Sequence, residues 1–109
     1  MTALVYCPFP DTETAQRIGG QLLDEGLIAC INIGNSITSL FAWDGERGSA
    51  EEIPALLKTD AALLGQAIAR LEALHPYDSP AILGWPCQAG AATRSWLGGL
   101  ATGGRNAGK

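Results

Sequence analysis

Short apolar runs alternate with amphipathic stretches along most of this chain. The apolar runs are continuous or alternate with period two, as buried and half-buried strands do. They predict strands at residues 3–9, 27–43, 50–58 and 81–87. Asp44-Gly45 follows the second of these strands and is a strong hairpin signal. The sequence therefore predicts a hairpin in the middle of the chain.

Two stretches place apolar side chains three and four residues apart, which is the spacing of one helix face. Asp11 is a good N-cap for the first helix, and Gly26 stands where a left-handed C-cap belongs. Asp60 caps the second helix, which ends at His75 because the proline that follows disfavours helical backbone there. A glycine-loosened stretch at residues 93–100 predicts a short C-terminal helix.

The order β-α-β-β-α-β predicts an α+β, ferredoxin-like fold, in which two helices cover a four-stranded antiparallel sheet. The 17 residues from Leu27 to Trp43 extend over roughly 50 Å, whereas a usual strand is about 20 Å long. Even with a bulge at Gly34-Asn35, the hairpin must overhang the domain and expose Phe41 and Trp43, so we expect oligomerisation through it. Pro54 in the returning strand predicts an edge or a bulge, because proline cannot donate to a ladder.

Composition limits the possible functions. The 109 residues predict one domain at residues 1–102, followed by a frayed, glycine-rich tail at residues 103–109. Seven basic and eleven acidic residues give a net charge of −4, which argues against nucleic-acid binding. No apolar stretch approaches the length of a membrane span, and the first residues lack the basic start of a signal peptide.

The three cysteines are Cys7, Cys30 and Cys87, and they are far apart in the sequence. Their odd number and the lack of a Cys-x-x-Cys pair argue against a disulfide framework and a structural zinc site. This cysteine usage predicts a protein of the reducing cytoplasm.

His75 is the only histidine, and it is followed closely by Tyr77 and Asp78. At the C-terminal end of a helix the dipole favours a protonated imidazole. One interpretation is a simple helix stop, and another is a functional site. Cys30 and His75 are a possible pair of metal ligands, although a thiol in an apolar strand is more often inert packing. A general acid or base role for His75 lacks a visible partner.

Lys58 precedes the start of the second helix, whose amides favour an anion. One interpretation is an anion-accepting corner formed by Lys58 and the helix start at Asp60; the other is a solvated strand end. Glu52 lies six residues before Lys58, roughly 20 Å along a strand, so the two cannot pair within one chain. We therefore expect Glu52 to contact an adjacent subunit.

The combination of four segments resembles the CutA divalent-cation tolerance proteins over residues 3–100. The segments are Ala29-Cys30-Ile31-Asn32-Ile33, the run from Ile37 to Gly45, Glu52 with Lys58-Thr59, and Leu74-His75-Pro76-Tyr77 with Pro80. The resemblance implies a compact homotrimer, an association with tolerance of copper and other divalent cations, and no firm enzymatic activity. It also implies a cleft between subunits, and it places in or near that cleft Cys30, Asn32, Trp43, Glu52, Lys58, His75 and Tyr77.

Departures from the family pattern bear on the metal. The family has Pro-Glu where this chain has Pro80-Ala81, which removes one oxygen ligand, so the chain is poorly equipped for a tight centre. We therefore expect copper or another divalent cation to bind weakly, with no firmly bound cofactor. The alternative function is a module that binds a small anionic ligand, or signals through it, in the cleft between subunits.

Overall fold

The structure is a computed structural model, and it describes residues 1–102. The predicted tail at residues 103–109 lies outside the described residues. The elements are β1 (Thr2–Phe9), α1 (Thr12–Asp24), β2 (Cys30–Ile33), β3 (Ile37–Trp43), β4 (Glu46–Asp60), a 3-10 turn (Ala61–Leu63), α2 (Leu64–Leu74), β5 (Leu83–Cys87) and α3 (Ala91–Ala101).

All strand pairs are antiparallel, and the strand order is β2-β4-β1-β5, with β3 paired to β4 beyond the end of β2. This arrangement confirms the α+β, ferredoxin-like prediction. The strand predicted at residues 27–43 is divided into β2 and β3. β2 begins only at Cys30 because Leu27 still belongs to the turn that ends α1. The amide of Leu27 donates to the carbonyl of Leu22 in α1, and the carbonyl of Leu27 accepts from Thr59 Oγ1.

The break between β2 and β3 contains one extra residue. Ile33 pairs with Ala55, and Ile37 pairs with Glu52. From one pair to the next, the chain between β2 and β3 advances four positions while β4 advances three. The irregularity therefore lies at residues 34–36, not in β4, which runs unbroken over 15 residues. The predicted edge at Pro54 was wrong, because β4 is central in the sheet, whereas the predicted bulge is present with its extra residue on the partner strand opposite Pro54.

The position of Pro54 explains why a central strand tolerates it. Pro54 lies opposite Pro8 in the β1–β4 ladder, and its carbonyl accepts from the amide of Gly34 at 2.9 Å on the other side. In an antiparallel strand the N–H and C=O of one residue face the same neighbour. The missing N–H of Pro54 therefore faces the β2–β3 break, where the ladder is already interrupted.

The predicted helix ends are confirmed in their main features. Asp11 accepts from the amide of Thr14 at 2.7 Å, and Gly26 has a positive φ of 72°. Asp60 accepts from the amide of Ala62 at 2.8 Å, but it opens the 3-10 turn, so α2 begins only at Leu64. His75 directly follows α2 with extended backbone.

α1 and α2 cover one face of the sheet and enclose the main core, which includes Val5, Phe9, Ile18, Leu22, Leu57 and Leu71. α3 packs against β1 and β4, and its fully buried Leu97 lies outside that core cluster, so α3 covers part of the other face. The remainder of that face exposes Leu56, Leu83 and Trp85. We call these three residues the open face.

The hairpin of β3 and the first half of β4 projects from this body as predicted. β4 pairs with β1 over residues 53–60 and with β3 over residues 46–52, so the two partners share no residue of β4. Asp44 and Gly45 both have positive φ, as a two-residue hairpin turn requires. We call residues 37–52 the arm.

Gly84 gives a test of how β5 packs beneath α2. A Cβ at this position would lie 2.8 Å from Ile68 Cδ1 and 2.9 Å from Leu64 Cδ1. Both atoms are the ends of flexible side chains that can turn aside, so Gly84→Ala should lower the free energy of unfolding by less than about 1 kcal/mol, measured by chemical denaturation. Gly65→Ala, which meets open space in a helix, is the control and should stabilise by about 0.5–1 kcal/mol. Equal or greater stability of Gly84→Ala would contradict this packing.

Candidate functional site

A chain of hydrogen bonds joins the end of β1, the segment after α2 and the base of the arm. His75 Nε2 lies 2.9 Å from the carbonyl oxygen of Pro8. The amide of Tyr77 donates to His75 Nδ1 at 3.1 Å, and the Tyr77 hydroxyl donates to Glu52 Oε2 at 2.9 Å. The structure thus brings together three of the predicted site residues: His75, Tyr77 and Glu52.

These bonds define the state of the His75 ring. A backbone amide can only donate, so Nδ1 must carry a lone pair, and Nε2 must carry the proton that it donates to the Pro8 carbonyl. A proton on Nδ1 would face the Tyr77 amide, so these hydrogen bonds do not reflect the protonated imidazole that was expected at the helix end.

The Pro8 carbonyl can accept a hydrogen bond from His75 because β5 is too short to pair with the end of β1. β5 pairs with β1 only from Thr2 to Tyr6, so the last residues of β1 have no strand on that side. The His75 imidazole fills the place of the next ladder donor. Its ring also stacks on Phe9, with centroids 5.1 Å apart, and lies 4.6 Å from the ring of Tyr77. His75 is 7 % exposed, which fits a packing role.

Glu52 is a buried carboxylate, and its partner is in its own chain. Burial, followed by the hydrogen bond to Glu52 and its negative charge, raises the pKa of Tyr77 to about 12. The phenol therefore remains a donor at neutral pH. The structure gives Glu52 a partner on the loop after α2 of its own chain, and the expected contact with an adjacent subunit stays a prediction.

The thiol beside this cluster is Cys7, which the sequence analysis did not select. Cys7 is fully buried, and burial together with the charge of Glu52 raises the pKa of its thiol to about 12. The signal that identifies Cys7 is register, since it pairs with Ala55 close to Glu52 on β4. Register between distant strands was not available from one sequence.

A second group of predicted residues lies at the other end of the sheet. Cys30 pairs with Lys58 across β2 and β4, and its Sγ lies 3.9 Å from Asn32 Oδ1. Lys58 is half-buried and makes no ion pair with any of residues 1–102. The amide of Ala62 at the helix start is already bonded to the carboxylate of Asp60. That carboxylate disfavours the predicted anion corner.

Trp43 belongs to neither group within one chain. It pairs with Glu46 at the far end of the arm, six residues along β4 from Glu52, or roughly 20 Å. Its side chain is 65 % exposed. One chain therefore spreads the predicted cleft residues over three places.

The predicted metal ligands do not meet within one subunit. Cys30 pairs with Lys58, and Pro8, which holds His75, pairs with Pro54. Their partners Lys58 and Pro54 are four residues apart on β4, and β2 and β1 lie on opposite sides of β4. Cys30 and Pro8 are therefore roughly 16 Å apart. Both ring nitrogens of His75 are also engaged. Among residues 1–102 no group of three or more histidine, cysteine or acidic side chains is arranged to hold a metal. A tight centre built by one subunit does not fit these residues.

Fold and site together define a small ferredoxin-like subunit with an overhanging arm and a hydrogen-bonded cluster at the arm's base. Comparison with known proteins identifies its family. The model of the CutA1 divalent ion tolerance protein family matches residues 3–98, and the chain belongs to this family.

Curated relatives are similar in sequence to this chain over most of their own length. The CutA divalent-cation tolerance protein of Pyrococcus horikoshii is 40 % identical over 80 residues, which are 73 % of this chain and 78 % of the relative. That of Thermus thermophilus is 36 % identical over 90 residues, 83 % of this chain and 87 % of the relative.

Solved structures show the same fold. The divalent ion tolerance protein of Ehrlichia chaffeensis superposes with a TM-score of 0.84 at 37 % identity, covering 92 % of this chain and 94 % of its own. The protein of Archaeoglobus fulgidus, described as periplasmic, gives a TM-score of 0.85 at 30 % identity, covering 93 % and 99 %.

The buried thiol predicts an alkaline loss of stability. The pKa of Cys7 is raised above its ordinary value of 9.0 to about 12, so the fold favours the protonated thiol. This contribution is complete below about pH 9 and is lost as the pH rises to about 12. Cys7→Ala should lose less stability than the wild type over this range, measured by urea denaturation at several pH values. Cys87→Ala is the control and should follow the wild type; equal pH slopes for Cys7→Ala and the wild type would contradict the assignment.

Proposed function

We propose that this protein acts in divalent-cation tolerance as a cytoplasmic homotrimer, binding copper or another divalent cation weakly and without catalysis. Membership of the CutA1 family supports the tolerance role. The observation that carries the assembly is the arm, whose large apolar side chains are open to solvent in the single subunit.

The arm exposes both apolar side chains and unpaired backbone edges, and contacts with other copies of the chain would cover them. Leu40, Phe41 and Trp43 are 64 %, 46 % and 65 % exposed. The arm is two-stranded, so each of its strands has a free outer edge of backbone donors and acceptors. A two-stranded ribbon is marginally stable alone in water. Other copies of the chain satisfy both needs, and the family resemblance implies three copies.

The open face supports the same proposal. Leu83 is 63 % exposed, and Leu56 and Trp85 are 38 % and 40 % exposed. Leu56 lies on β4 and the other two lie on β5, and Tyr6 of the intervening strand β1 pairs with both Leu56 and Leu83, so the apolar surface continues across three strands. An apolar surface of this kind is typical of an interface. In a trimer the arm and the open face are both buried by other subunits.

Weak metal binding follows from the cost of recruiting His75. Coordination through either ring nitrogen breaks its present hydrogen bond, a net loss of about 1 kcal/mol for each bond. Cys30 and Asn32 lie on β2, where another subunit must supply further ligands. A site completed between subunits in this way binds a cation as transient cargo.

A non-catalytic role fits the same cluster. A general acid or base needs a ring nitrogen free to reach a substrate, and both nitrogens of His75 are bonded within the fold. Cys7 is fully buried and its raised pKa keeps it protonated at neutral pH, so it is a poor nucleophile.

The cytoplasmic location is supported by the cysteines. Cys7, Cys30 and Cys87 are all free thiols, which a reducing compartment maintains. Within residues 1–102 the longest helix has 13 residues, and none is long and apolar enough to cross a membrane.

Binding of a small anionic ligand, with or without a signalling role, is the second candidate, and one observation favours it. Lys58 is half-buried and lacks an ion-pair partner among residues 1–102. A ligand carboxylate or phosphate would supply one. Native mass spectrometry of the purified protein separates the two candidates, because a bound metal and a bound organic anion differ in mass.

The assembly prediction concerns the arm. Light scattering on a sizing column should give a mass of about three times 11.3 kDa. Trp43→Ser should shift the equilibrium toward the monomer because it removes exposed apolar area from the arm. Leu23→Ser, a comparably apolar position 37 % exposed on α1, is the control and should leave the trimer intact. A wild type that is monomeric at micromolar concentration would refute the proposal.

The metal prediction concerns Cys30. Competition with a chromophoric copper(I) chelator should show weak binding that falls about tenfold or more in Cys30→Ser, since a soft thiolate is replaced by a poor ligand. Cys87→Ser removes another half-buried thiol and should bind like the wild type. Tight binding that survives Cys30→Ser would move the site to another thiol.

A further inference from the structure

The base of the arm has few connections to the body. β4 passes from its β1 partner to its β3 partner between Ile53 and Glu52, and no residue of β4 is paired to both. On the opposite strand, the three residues at 34–36 lie outside both ladders, with one backbone bond from Gly34 to Pro54. Because Ile53 pairs only with β1 and Glu52 pairs only with β3, β4 can bend between these two residues. The direction of the arm therefore needs a further restraint.

Glu52 lies at this junction and is the last residue of β4 that pairs with β3. Its carboxylate accepts from Tyr77, whose amide donates to His75, which in turn donates to Pro8 at the end of β1. The three bonds form a bracket from the body to the arm. Burial of Glu52 and His75 and the stacking of His75 on Phe9 make this bracket stiff.

We propose that the bracket of His75, Tyr77 and Glu52 positions the arm for assembly, so that Tyr77 and Glu52 are positioning residues for subunit association. This inference rests on the proposed homotrimer. Tyr77 acts through its hydroxyl, which contacts the arm from the loop after α2 and fixes the angle at which the arm leaves the sheet. The subunit then presents the arm to other copies already oriented.

The chain contains a matched control for this bond. Thr38 Oγ1 donates to Glu51 Oε2 at 2.6 Å, one residue from Glu52 on the same strand. It is also a hydroxyl–carboxylate bond, but it joins the two strands of the arm and does not reach the body. Removing it changes the arm without changing the connection between arm and body.

The test compares Tyr77→Phe, Glu52→Gln, their double variant and Thr38→Val. Sedimentation equilibrium over a dilution series should show trimer dissociation raised about tenfold in Tyr77→Phe, the size expected for loss of a bond to a charged group. Glu52→Gln keeps an acceptor but removes its charge, so it should have a smaller effect, and the double variant should match Tyr77→Phe because both substitutions act on one bond. Thr38→Val should dissociate like the wild type. Dissociation of Tyr77→Phe within twofold of wild type, or equal to that of Thr38→Val, would overturn the proposal.

A second measurement separates failure of this proposal from failure of the homotrimer. If the wild type is monomeric at all concentrations, backbone amide relaxation by NMR still reports arm motion relative to the body. Tyr77→Phe should then increase nanosecond motion across residues 37–51 while leaving β1 and α1 unchanged. Unchanged arm motion in that monomer would refute the positioning role itself. A general loss of order in body and arm together would show a purely structural role and would also refute it.

Discussion

The continuous hydrogen-bonded strand β4 is the interaction on which the rest of this molecule depends. One half of it is the central strand of the body, and the other half is one side of the arm. Because a single strand serves both, the arm cannot fold back onto its own core. Its apolar side chains are therefore exposed to solvent in the single chain, and this exposure is what the proposed assembly would remove.

The cluster at the base of the arm shows how a family-like motif can have a structural role. The His-Pro-Tyr segment ends a helix, and the extended backbone after it directs His75 to the unpaired end of β1 and Tyr77 to Glu52. Each polar group in this buried cluster has a hydrogen-bonding partner, as burial requires. Such an arrangement stiffens the junction and leaves His75 with no ring nitrogen free for a tight metal centre.

Much of the fold was predictable because it is encoded locally. Apolar periodicity located the helices and most strands, and Asp11, Gly26 and the Asp44-Gly45 turn fixed ends that local backbone chemistry controls. The features that were not predicted correctly depend on pairing between strands that are far apart in the sequence. The edge predicted at Pro54 was wrong because its missing N–H faces a break in the partner strand, and Cys7 was overlooked because its proximity to Glu52 depends on register. The hydrogen bond at His75 Nδ1 depends on the Tyr77 amide, whose direction follows from the loop after α2.

The central claim is that the body is stable alone while the arm depends on other subunits. Amide hydrogen exchange measured above and below the concentration at which the subunits assemble tests it most directly. The account predicts that residues 37–52 are much more strongly protected in the assembled protein than in the isolated chain, whereas amides of β1, α1 and the body half of β4 are protected equally at both concentrations. Equal protection of the arm in the isolated subunit would contradict the claim.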